Sequence, residues 1–286
     1  MDYKKINGNY KNIYGAIGYT VLTNSKHKLL IFSDRHDKLK DCKGSKIDMN
    51  DLFQDSIDTD SDTQLLLEEV ERTKSMENLK LVFDSATHTV DLKDTYIQNQ
   101  NNIVGVDIRP HLIDFTIDYG RTKDSYTLRK YITEINKFFI LQSELFKIKL
   151  GDLYSSERLY NNILGIHLLH IHKIYDIFIN EYKDSLDKSL NIVINNKLIE
   201  TINNILSDIM EWYICALIYK NQNTNTILHT GLAHSTHIID YLKYLYGYTI
   251  VHDAGITNIN KLNEDDNGCL RVPSSIIKDF IDKKYE

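Results

Sequence analysis

Residues 28–37 read KLLIFSDRHD, an unbroken apolar run from Leu29 to Phe32 that stops in Ser33, Asp34, Arg35, His36 and Asp37. A short apolar run closed by polar residues is the pattern of a strand buried on both faces, as in a parallel sheet. Four more segments share it: 64–69 (QLLLEE), Ile103–Asp107 (IVGVD), 226–231 (TILHTG) and 248–253 (YTIVHD). Their brevity and their β-branched and Leu content predict central strands. Gly18–Thr23 predicts an added edge strand that turns through Asn24 and Ser25.

Around these strands the period changes. Residues 235–246 predict a helix with Ser235 or Thr236 as N-cap, with Ile238, Ile239, Leu242 and Leu245 on one face and Gly247 as the stop. From 125 to 220 the apolar spacing is long and amphipathic, through Tyr131, Ile135, Phe138 and Phe139, then Leu159, Ile163, Ile166, Leu169 and Ile174. It predicts three long helices with breaks near 151–155 and 183–188. This block separates the third of the five strands from the fourth. The expected architecture is α/β: a single three-layer domain over 1–286 with a mostly parallel sheet and a long helical insertion, 125–220, between strands three and four.

With 286 residues the chain can bury a full core, and 42% apolar with 26% charged residues is globular rather than disordered. The net charge is -6 and the lysines form no stripe, so no nucleic-acid partner is expected. No run of about 18 apolar residues occurs and the first residues lack a signal-like apolar region, so no membrane partner is expected either. Cys42, Cys215 and Cys269 are odd in number, far apart and outside any CxxC spacing. They argue against a disulfide framework or structural zinc, and for a reducing, cytoplasmic setting. The acidic stretch 48–62 lacks the glycine and terminal glutamate of a calcium loop and is expected to be a solvated surface loop.

Open α/β sheets place their sites beyond the carboxyl ends of the strands. Those ends carry Asp34, Arg35 and His36; Glu68 and Glu69; Asp107 and Arg109; and Gly231 followed by His234. Their convergence would bring two histidines, several carboxylates and an arginine together, enough for a general base, a metal shell or an anion clamp. Inert ion pairs have the same composition, and Asp107 with Arg109 has the spacing of a structural salt bridge. Glu68 and Glu69 can also be read as the start of an amphipathic helix. His237 follows His234 by three residues and could share its helix turn. Ser85 and His88 lack the Gly-x-Ser-x-Gly elbow of a nucleophilic serine. His167 and His170 have chelating spacing, but in an apolar helix a core or surface histidine is the commoner case. No GxGxxG or Walker A loop is present.

The segment 30–37, LIFSDRHD, resembles the first motif of the TIKI/TraB, ChaN-like and erythromycin esterase-like superfamily, in which a strand runs into a small residue, an acid and a histidine. Residues 227–247, ILHTGLAHSTHIIDYLKYLYG, resemble its late GxxH motif with the helix and glycine that follow. Glu68 falls where those families carry a strand-terminal glutamate, and residues 105–109, GVDIR, resemble the third-strand segment of the esterase-like branch. Two positions depart from the pattern: Ser33 stands for the usual glycine, and Asp34 where a glutamate is common.

The resemblance implies His36 and His234 as the central pair, with Glu68 and Asp34 beside them. It implies a hydrolase, esterase-like or metal-dependent peptidase-like, acting on a small-molecule or peptide substrate. His36, His234, Glu68 and Arg109 are the expected catalytic groups, and Asp107, Arg35 and His237 the substrate-binding ones. If a divalent transition metal takes part, His36, His234, Glu68 and Asp34 are its expected ligands. The alternative is a non-enzymatic protein of the same fold that binds haem or another small molecule.

Overall fold

The computed structural model describes residues 9–35, 42–59, 62–70, 87–112, 127–189, 196–262 and 268–281. The chain divides into two compact units. The first draws its described residues from 9–70, 87–106 and 221–281, and the second from 107–220.

The first unit holds a six-stranded mixed sheet in the order β6-β5-β7-β3-β2-β8. Its strands are β2 (Gly18–Thr23), β3 (Lys28–Asp34), β5 (Thr63–Val70), β6 (Ile103–Asp107), β7 (Asn225–Gly231) and β8 (Thr249–Gly255). β7 runs parallel to both β5 and β3, while β2 is antiparallel to β3 and to β8. The predicted edge strand β2 is therefore interior, and the outermost strand on that side is β8. At the β2–β8 seam a side chain on Gly18 would meet the Ile256 carbonyl oxygen at 1.9 Å, so the close approach requires glycine.

Strand alternation sorts the apolar residues onto two faces. Leu30, Phe32, Leu65, Leu67 and Ile227 pack with Leu52 and Phe53 of α1 (Met49–Asp58) and with Leu92 and Tyr96 of α2 (Thr87–Gln98). On the opposite face Ser33 meets Ser235 of α9 (Leu232–Tyr244), with their hydroxyls 2.8 Å apart. Helices thus lie on both faces.

Several expectations are corrected here. The acidic stretch is helix α1 over most of its length, burying Met49, Leu52, Phe53 and Ser56. The helix predicted for 235–246 begins three residues earlier, at Leu232, directly on the end of β7. Ser235 and Thr236 do not cap it; both hydroxyls bond back to the Leu232 carbonyl. Three short strands form a second sheet in the order β4-β1-β9: β1 (Tyr10–Tyr14), β4 (Ile47–Asp48) and β9 (Cys269–Pro273). Two of the cysteines are paired: Cys42 and Cys269 form a disulfide with Cα atoms 5.2 Å apart. The inference from cysteine number to a reducing compartment loses its premise. No described helix is long and apolar enough to cross a membrane.

The second unit is helical: α3 (Arg109–Leu112), α4 (Leu128–Phe139), α5 (Glu144–Leu150), α6 (Ser156–Tyr160), α7 (Ile163–Tyr182) and α8 (Asn196–Lys220). Single 3-10 turns at Gly151–Leu153 and Lys183–Ser185 fall where breaks were predicted, although the block holds more helices than the three expected. Thr127 and Asn162 cap α4 and α7 by accepting backbone N–H bonds. Phe138, Phe146 and Trp212 meet edge-to-face at its core. A short α10 (Ser274–Lys278) closes the described chain in the first unit.

Candidate active site at the carboxyl ends of three strands

The β3–β7 pairing ends with Ser33 opposite Thr230 and Asp34 opposite Gly231. On the other side Leu67 pairs with His229, so Glu68 follows beside Thr230. The carboxyl ends of β5, β7 and β3 therefore lie side by side, as the parallel arrangement requires, and α9 starts at the central one.

Glu68 is almost enclosed, its side chain 7% exposed. Its Oε2 accepts two bonds of 2.6 Å, from the Thr230 hydroxyl and from the Gly231 N–H. These bonds fix the carboxylate and stabilise its ionised form. Its Oε1 lies 3.5 Å from His234 Nε2, whose side chain is 14% exposed. That distance is longer than a formed hydrogen bond.

Two of the sequence candidates are thus brought together, Glu68 and His234. Asp34 is fully buried, and its Oδ1 accepts the Arg35 N–H at 2.7 Å. Alternation directs Asp34 to the face of Phe32 and Glu68 to the face of Ser33, so the expected neighbouring carboxylates leave the sheet on opposite sides. His237 is exposed one turn beyond His234. Asp107 and Arg109 hold each other in a two-point ion pair, Nε to Oδ1 at 2.7 Å and Nη2 to Oδ2 at 2.9 Å. They have the geometry of the structural salt bridge. His36 lies outside the described residues.

Sequence reasoning missed Thr230 and the Gly231 amide, which together hold Glu68. It also missed His229, buried with Nε2 2.9 Å from the Gly15 carbonyl oxygen. Among the described residues no group of three or more His, Cys, Asp or Glu side chains could hold a metal ion. Glu68 and His234 offer two donors, and Asp34, expected as a third, points to the other face. The remaining expected ligand, His36, lies outside the described residues. His167 is fully buried while His170 is exposed, so that pair does not chelate.

These features define an α/β protein with a mixed, mostly parallel sheet and a carboxylate beside an imidazole at a strand edge. A scan of family models and searches of curated proteins and of solved structures gave no match to this chain.

Proposed function

We propose that the protein is a hydrolase, of the kind implied by the TIKI/TraB, ChaN-like and erythromycin esterase-like resemblance, with residues 125–220 as a helical insertion between its third and fourth central strands. The observation that carries this reading is the Glu68–His234 pair: a carboxylate fixed through one oxygen by Thr230 and Gly231, with its other oxygen turned to an imidazole at a strand edge.

In this reading Nε2 of His234 carries the proton and faces Glu68, and Nδ1 is the basic nitrogen. A neutral imidazole of this kind accepts a proton from water near neutral pH. The hydroxide equivalent attacks an ester or amide carbonyl, while Glu68 stabilises the imidazolium that forms. The proton then returns from Nδ1 to the leaving oxygen or nitrogen.

A panel of small esters and short peptides, assayed with wild type, His234→Ala and Glu68→Gln, tests the proposal. Turnover by wild type that both variants lose is the expected result. Equal turnover by all three, or binding without turnover by any, would overturn it. Elemental analysis of wild type beside His36→Ala and His234→Ala runs in parallel. A stoichiometric metal lost in both variants would add a metal ion to the mechanism.

A further inference from the structure

A second set of contacts ties the same strand edge to the three-stranded sheet. Cys42 lies in the segment that leads into β4 and Cys269 opens β9, so their disulfide ties that segment to the strand on the other side of β1. Tyr14, the last residue of β1, pairs with Asp48 on one side and with Cys269 on the other. The Gly15 N–H then donates to the Gly268 carbonyl at 3.2 Å. Gly15 has φ +105°, and a side chain there would press on Met49 Cβ at 3.0 Å, so the chain turns where only glycine fits.

Beyond that turn the linker into β2 touches two of the site strands. The Gly15 carbonyl lies 2.9 Å from His229 Nε2, on the residue before Thr230. The Ile17 N–H donates to the Ser33 carbonyl at 2.8 Å. The disulfide, β1, the Gly15–Ile17 linker and the strand ends that hold Glu68 are thus one connected set. Both paired cysteines are half-buried rather than enclosed. Cys215 is buried, and burial pushes its thiol well above the usual range, so it takes no part in exchange.

We propose that the Cys42–Cys269 disulfide is a redox-responsive clamp on the Glu68–His234 site: closed, it holds the Gly15–Ile17 linker against β3 and β7; opened by a dithiol reductant, it loosens both strand ends and lowers turnover. In the opening step a reductant thiolate attacks one sulfur and the other leaves as a thiolate that takes a proton. The second reductant thiol then attacks the reductant's own sulfur in the mixed disulfide and releases the remaining protein cysteine, which takes a proton, so the protein gains two electrons and two protons and the reductant becomes a disulfide. In an oxidising compartment the site is held, and in a reducing one it is relaxed. The effect on turnover rests on the hydrolase reading; the clamp itself does not.

The test uses the full chain, equilibrated with glutathione disulfide or with dithiothreitol. Thiols are counted after denaturation, and amide hydrogen exchange is followed at Ile17 and Gly231. Of the three cysteines, one is expected to be alkylated after glutathione disulfide and all three after dithiothreitol. Exchange at both amides is expected to rise about tenfold on reduction, as local opening does when a constraint is released. Cys42→Ser is expected to exchange at the fast rate in both buffers. Three thiols after glutathione disulfide, or exchange that reduction leaves unchanged in wild type, would overturn the clamp. Because exchange needs no substrate, a redox response in a protein that hydrolyses nothing would support the clamp and count against the hydrolase.

Discussion

At the amino ends of β3, β5 and β7, His27 is 2% exposed and spent on neutral partners: Nδ1 lies 2.7 Å from the Tyr248 hydroxyl and Nε2 3.0 Å from Thr226, whose hydroxyl donates to Gln64. At the carboxyl ends of the same strands His234 is partly open and faces a carboxylate fixed by two donors. One end satisfies an imidazole completely and keeps it neutral, which makes it structural. The other places it beside a charge and near solvent, the setting that the proposed role of general base requires. What separates the two histidines is the partner and the opening, not the residue.

The largest effect expected from this contrast is on rate. His234→Ala should lower hydrolysis by about a hundred- to ten-thousand-fold, the usual worth of a general base, with the thermal midpoint little changed because the side chain is partly exposed. His27→Ala should do the reverse. It should cost about 2–4 kcal/mol in urea denaturation, through the cavity and the stranded Tyr248 and Thr226 hydroxyls, and leave turnover of the folded protein within about twofold. A His27→Ala protein that is folded yet inactive would break the contrast.

Next in size is the pH dependence of stability. Burial lowers His27 from 6.5 to about 4, and burial likewise lowers His167 to about 4, against the opposing charge of Glu211. Between these values the unfolded chain binds more protons than the folded one, so stability rises with pH across that window. The contribution is complete above about pH 6.5 and is lost as pH falls from 6.5 towards 4. It is on the order of 2 kcal/mol for each histidine. Denaturation midpoints at pH 7, 5.5 and 4.5 should fall in that order, and His27→Gln should flatten the slope. A slope that the substitution leaves untouched would show that His27 binds protons alike in the folded and unfolded chain.

How far the sequence discloses the two ends depends on burial. Lys28–Asp34 and Ile103–Asp107 match their predicted bounds because a strand covered on both faces leaves an unbroken apolar run. β1, reading YKNIY with only one fully buried residue, leaves no such run. Without the β4-β1-β9 sheet nothing in the spacing of Cys42 and Cys269, 227 residues apart, suggests a pair. In α1 the acidic residues draw the eye, yet Met49, Leu52, Phe53 and Ser56 keep the three-four spacing of a buried helix face, a signal that could have found it. Glu68 and His234 were legible as strand-end groups. Asp34 was misplaced because proximity in the motif was weighed above alternation, which sends Ser33 and Asp34 to opposite faces.

The smallest effect expected is at Thr230, and it separates holding the carboxylate from merely filling space. Thr230→Val keeps the shape of the side chain and removes the hydroxyl that donates to Glu68 Oε2, while the bond from the Gly231 N–H remains. If Thr230 positions Glu68, the carboxylate gains freedom and its alignment with His234 deteriorates. The expected result is a fall in kcat of about fivefold, near 1 kcal/mol for one lost hydrogen bond, with KM unchanged because Thr230 is fully buried beneath the edge. Thr230→Ser, which restores a hydroxyl at the same position, should recover most of the rate. Loss of rate in both variants alike would mean that the methyl group matters and the hydroxyl does not. The carboxyl end would then be held by packing, as the apolar strands are, and the hydrogen bonds to Glu68 would belong with the inert network around His27.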